Sequence, residues 1–133
     1  MTPSRSAFSY AVLRVVPDIE REEFVNVGLV LFCRPRQFLR VRTTLDTARL
    51  AALKPDADLD GLREQLTLVE RIAAGDVPSG PLAGMSESER FHWLTTPRST
   101  AVQPGPIHGG MTEDPAATFD HLYASLVNGP AAA

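Results

Sequence analysis

The stretch FSYAVLRVVPDIEREEFVNVGLVLFC, Phe8 to Cys33, decides the fold. From Ala7 to Val16 the chain is rich in β-branched and aromatic side chains. Phe8, Tyr10, Val12 and Val16 fall on one side of a two-residue alternation, and Ala7, Ala11, Leu13 and Val15 on the other. Side chains of a strand alternate between its faces, so this strand has both faces at least partly covered. Pro17 and Asp18 supply turn chemistry, Ile19 to Glu23 makes a charged loop or short turn, and Phe24 to Cys33 resumes as a strand that pairs antiparallel with the first. In this second strand Val25, Val27, Leu29, Leu31 and Cys33 read as one apolar face, while the other carries Asn26 and Gly28 between Phe24 and Val30. Gly28 leaves a gap there for a close backbone, a side chain or a ligand.

Beyond the turn Arg34 to Gln37, the segment Phe38 to Thr43 alternates as a one-sided third strand, with Leu39 and Val41 inward and Arg40 and Arg42 outward. Asp46 or Thr47 caps a short helix ending before Pro55. Asp58 caps a longer one with Leu59, Leu62, Leu66, Val69 and Ile72 or Ala73 in its apolar stripe, stopped by Gly75. Gly75 to Gly84 is a turn-rich surface loop, and Ser86 with Glu89 forms a capping-box pattern for a third helix through Phe91, Trp93 and Leu94 that ends at Pro97. Arg98 to Gln103 is a candidate strand, and PGPIHGG, Pro104 to Gly110, a constrained turn. Asp114 at N-cap and Pro115 at N1 open a last helix with Phe119, Leu122, Tyr123, Leu126 and Val127 on one face, closed by Asn128 and Gly129. The predicted class is α+β: an antiparallel sheet of about three to four strands packed against about three to four helices as a single pair of layers. One domain spanning residues 1–133 is expected, its tail 130–133 frayed.

Composition bounds the function. The 133 residues, 44% hydrophobic and 22% charged, suffice for one globular core. The longest apolar stretch, Phe24 to Cys33, is half of the roughly 20 residues a membrane helix needs and contains Asn26. Met1 to Ser9 lacks the apolar core of a secretory signal, so a cytoplasmic location is expected. Cys33 is alone, which forbids an internal disulfide, and its apolar neighbours mark it as a buried small hydrophobe. Net charge is −3, so no global basic field holds nucleic acid. Twelve of the thirteen basic residues are Arg and only Lys54 is Lys. With many Ala and Pro, this skew reflects GC-rich coding and warns against reading every guanidinium as functional.

Chemical motifs are sparse. The three histidines, His92, His108 and His121, have neither helical two-His spacing nor a Cys pair, so no metal site is expected. GPIHGG lacks the Lys-Ser/Thr of a phosphate loop, no GxGxxG leads from strand to helix, and no GxSxG is present; no cofactor is expected. The polar run TTPRST, Thr95 to Thr100, followed by His108, has the elements of an anion clamp: Arg98 offers paired donors in a planar fork and Ser99 adds a hydroxyl. The same Thr and Ser residues can instead satisfy local backbone groups beside a helix stop. A second patch, Arg34, Arg36, Arg40 and Arg42 around Phe38, suits single-stranded nucleic acid, or is simply a solvated strand face. Asp56, Asp58 and Asp60 belong to a helix start, where the dipole favours them.

Phe8 to Cys33, together with FHWLTTPRSTAVQPGPIHGG (Phe91 to Gly110) and DPAATFDHLYASLV (Asp114 to Val127), resembles the bacterial domain of unknown function 3037 family over nearly the whole chain. No activity is assigned to that family. The resemblance implies a genomic neighbour, a HipA-like kinase, and through it an accessory or regulatory role as a non-enzymatic protein-binding module. Tyr10, Arg14, Asn26, Arg98, Ser99, His108 and Asp114 match the family's polar signature. Asp114 already has a role as N-cap, and Asn26 can bridge backbone groups at a strand irregularity. Arg14 is a charge on an otherwise apolar strand face and wants a carboxylate or a ligand. The binding candidates are therefore Arg14, Asn26, Arg98, Ser99 and His108. Arg14, Asn26, Arg98 and His108 are expected to converge on a shallow polar cleft, with the PRST to HGG segment lying over the gap at Gly28. The alternatives are an enzyme or ligand-binding domain for a phosphorylated or carboxylated small molecule, and nucleic-acid binding through the arginine hairpin.

Overall fold

The computed structural model describes residues 4–98 and 100–128, so Ser99, Gly129 and the tail expected to fray lie outside the described residues. The described chain forms β1 (Ser6–Asp18), β2 (Glu23–Cys33), β3 (Phe38–Thr43), α1 (Thr47–Leu53), α2 (Leu59–Ala74), α3 (Glu87–Leu94), β4 (Val102–Pro104), β5 (His108–Thr112) and α4 (Pro115–Leu126). This is an α+β fold on one antiparallel sheet, with five strands where the sequence suggests three to four. The helix ends follow from local chemistry. The side chains of Asp46, Asp58 and Asp114 accept from the backbone N–H of Arg49, Gly61 and Ala117, and Ser86 and Glu89 close a capping box.

The strand order is β3-β2-β1-β4, with β5 also on β1. β4 pairs with Leu13 to Val15 and β5 with Ser6 to Tyr10, so the two lie end to end along one edge of β1. Between the pairs Leu13–Pro104 and Tyr10–His108, the three residues Gly105, Pro106 and Ile107 oppose two, Ala11 and Val12. That is a β-bulge, anchored where the Gly105 N–H donates to the Val12 carbonyl at 2.7 Å. PGPIHGG is thus a strand end, a bulge and a second strand rather than a turn, because pairing with β1 imposes an extended path on residues of low strand propensity. Among the described residues of the candidate strand Arg98 to Gln103, Val102 and Gln103 are the ones in a strand.

A second bulge reshapes β2. Leu13 pairs with Gly28 and Arg14 with Asn26, which leaves Val27 as the extra residue. Alternation changes phase there: Val25, Val27 and Val30 face the cluster built with α1, α2 and α3, whereas Leu29, Leu31 and Cys33 face α4. The single apolar face read across β2 is therefore split between two faces, and the helices cover both sides of the sheet rather than one. The first layer seats Leu50, Leu66, Ile72 and Leu94 on Ala11, Leu13 and Val15. The second seats Phe119, Tyr123 and Val127 on Leu29, Leu31 and Cys33, flanked by Phe8, Tyr10 and Val12. The gap at Gly28 is closed by the neighbouring strand. A Cβ there would lie 2.9 Å from the Arg42 carbonyl oxygen and 3.1 Å from Thr43 Cγ2.

Candidate functional site

Arg14 sits mid-sheet, opposite Asn26 on β2 and Gln103 on β4, on the face that α4 covers. The helix stops short of it: the Asn26 side-chain amide donates to the Leu126 carbonyl at 3.0 Å, tying β2 to the last turn of α4. The uncovered end of this face holds Arg14, whose guanidinium carbon lies 4.3 Å from the centre of the Phe24 ring. Phe24 is 46% exposed, a large apolar side chain left in solvent. Gly105 allows the close approach, since a Cβ there would lie 3.7 Å from the Arg14 guanidinium carbon and 3.2 Å from the Val12 carbonyl.

The loop after α3 brings up the second cation. Thr95 and Thr96 turn their hydroxyls back onto the Phe91 and His92 carbonyls at 2.8 and 2.6 Å, so the threonines of TTPRST finish the helix. Gln103 then pins the loop: its Oε1 accepts from the Arg98 N–H at 3.1 Å and its Nε2 donates to the Arg98 and Thr100 carbonyls. Held this way, the Arg98 guanidinium stacks 3.9 Å over the Trp93 ring and donates through Nη2 to the Trp93 carbonyl at 2.6 Å. Burial lowers its pKa, because desolvation disfavours the charged form, yet an arginine this far above neutrality keeps its proton.

Arg14 and Arg98 line one shallow cleft of about 640 Å³, together with Phe24, Pro97, Gln103 and, on the rim, Glu22. Among the described residues, no carboxylate comes within ion-pair distance of either guanidinium. Two cations face one carboxylate beside an exposed aromatic ring, an arrangement suited to holding an anionic group through paired N–H donors.

Of the sequence candidates, the fold brings Arg14 and Arg98 together. Asn26 lies beside Arg14, but its amide is spent on α4. His108 does not join them; it pairs with Tyr10, four positions along β1 from Arg14, and its exposed ring lies 5.3 Å from the tyrosine ring. Ser99 lies outside the described residues. The arginine hairpin is largely engaged: Arg36 donates to the Ser4 and Glu113 carbonyls and to Ser6 Oγ. Arg40 and Arg42 turn onto Phe119 at 5.5 and 5.3 Å instead of outward, and Arg42 reaches Asp120 at 3.5 Å. Arg34 stays exposed in the turn before β3. Phe24, Trp93 and Gln103 complete the site without having been marked in the sequence. Phe24 was legible, since it shares a strand face with Asn26 opposite Arg14; Trp93 and Gln103 are placed by the loop alone.

Among the described residues no three of His, Cys, Asp and Glu are grouped to hold a metal ion, and no helix is long and apolar enough to cross a membrane.

The fold and cleft define an α+β domain with an antiparallel sheet between two helical layers and an arginine-rich cleft at one sheet edge. The chain belongs to the family described as protein of unknown function DUF3037, whose family model matches residues 10–127. No curated protein and no solved structure matches it.

Proposed function

We propose that this chain is an accessory or regulatory protein-binding module that grips an acidic segment of its partner in the cleft between Arg14, Phe24 and Arg98. The observation that carries the reading is the pairing of two guanidiniums without carboxylate partners among the described residues, next to a half-exposed phenylalanine. Arginine and aromatic side chains in a shallow patch are the composition of interface hot spots. A nucleic-acid strand needs a longer run of cations, and the arginines that would supply it around β3 are engaged with α4 and the N-terminal segment.

The family resemblance nominates a HipA-like kinase as the partner. The test is gel filtration of the purified chain mixed with a HipA-like kinase from the same genome, at micromolar concentration. Co-elution is expected at low salt, weakening as salt screens the charges. Two independently eluting proteins overturn the pairing.

A further inference from the structure

Arg98 also stands at the mouth of a second cavity, on the opposite side of the sheet edge from Arg14. This pocket holds about 210 Å³ between α2, the end of α3 and β4. Its walls are Leu13, Val69, Leu94 and Val102, all buried, with Trp93 beside them, and Leu68 stands 44% exposed at the rim. Most polar atoms in the wall already have partners. Gln65 Oε1 accepts from the Val102 N–H at 3.4 Å, Thr100 Oγ1 donates to the Val102 carbonyl at 2.9 Å, and Gln103 is committed to the Arg98 loop. The guanidinium of Arg98 is different: it donates through Nη2 and Nε to backbone carbonyls, while its Nη1 has no partner among the described residues.

We infer that this pocket binds a small monocarboxylate carrying one apolar group of about six carbons, the chain in the pocket and the carboxylate on Arg98. Size sets the class, since an apolar cavity of about 150 Å³ already holds a benzene ring, whereas pockets for nucleotide-sized ligands begin at several hundred. Charge sets the headgroup, because one cation with free donors stands at the mouth of an otherwise apolar, internally satisfied lining. The ligand would cover Leu68, which nothing in the described fold covers. The inference does not rest on partner docking, although the two cavities share Arg98, Gln103 and Pro104.

The test follows methyl resonances of the isolated chain by NMR during titration with hexanoate, hexanol and hexylammonium. Hexanoate is expected to shift the Leu68, Val69 and Leu94 methyls saturably, with a Kd at or below about 1 mM, and to bind about tenfold more tightly than hexanol. In Arg98→Gln the preference for hexanoate over hexanol should vanish while hexanol still binds, which shows that the pocket remains formed. Leu68→Glu, at an exposed helix position, should weaken hexanoate about tenfold by removing rim contact and adding a like charge. Absence of saturable shifts with hexanoate up to about 10 mM overturns the inference, and so does equal binding of all three probes.

Discussion

The two edges of the sheet carry arginines in opposite circumstances. Around β3, Arg36 is spent on three hydrogen bonds to the N-terminal segment and Glu113, and Arg40 and Arg42 lie against Phe119 with Arg42 also reaching Asp120. Around β4, Arg14 and Arg98 rest on aromatic rings and have no carboxylate partner among the described residues. The β3 group is the denser cluster in the sequence, yet Arg40 and Arg42 serve as the cover of α4 and Arg36 ties down the N-terminal segment. What marks a candidate site is the coordination left over after folding, and not the number of like charges in a run. An arginine whose donors are satisfied within the fold adds little to recognition, whereas one held in place with donors to spare is already oriented for a ligand.

The comparison breaks first if α4 does not seat the β3 arginines. Phe119 is fully buried beneath them, and Phe119→Ala should cost about 3–5 kcal/mol in chemical denaturation. A loss below about 1 kcal/mol would mean that this face is not closed by α4.

A milder contrast separates structural from available arginines. Arg36→Ala should destabilise by about 1 kcal/mol, since three acceptors lose their donor at an exposed site. Arg14→Ala, which gives up only a ring contact, should cost less, roughly 0.5 kcal/mol. Equal costs would erase the distinction between the two edges.

The smallest effect is in alkali. Burial raises the pKa of Tyr123, with Arg42 and the Thr44 hydrogen bond pulling weakly the other way. A raised tyrosine pKa means the folded state holds its proton after the unfolded chain has lost it. Its contribution is therefore complete below about pH 10 and declines as pH climbs toward the folded value. Tyr123→Phe should flatten that decline in a pH series of unfolding midpoints; an unchanged slope would remove Tyr123 as its source.

Much of this architecture is legible in the sequence because caps are local chemistry. Asp46, Asp58, Ser86 with Glu89, and Asp114 satisfy nearby N–H groups, and the structure finds each helix where they place it. The bulge at Val27 is hard to place because Asn26 and Gly28, which flank it, also fit an unbroken alternation, and Val25, Val27, Leu29 and Leu31 stay apolar across the phase change. β5 is hidden because Gly109 and Gly110 have no strand preference of their own and are extended only by pairing with β1. The second helical layer did leave a trace, in the apolar character of both faces of β1. At the site, Arg14 and Arg98 stood out as isolated cations, but their meeting depends on the Gln103 brace, which is a tertiary arrangement.

The most direct measurement is calorimetric titration of a HipA-like kinase, the proposed partner, with the wild-type chain, Arg14→Ala and Arg40→Ala. Arg14→Ala is predicted to weaken binding about tenfold or more, the worth of a charge-assisted contact, while Arg40→Ala stays within about twofold of wild type. If Arg40→Ala costs the affinity and Arg14→Ala does not, the binding surface lies on the β3 edge and the account is contradicted.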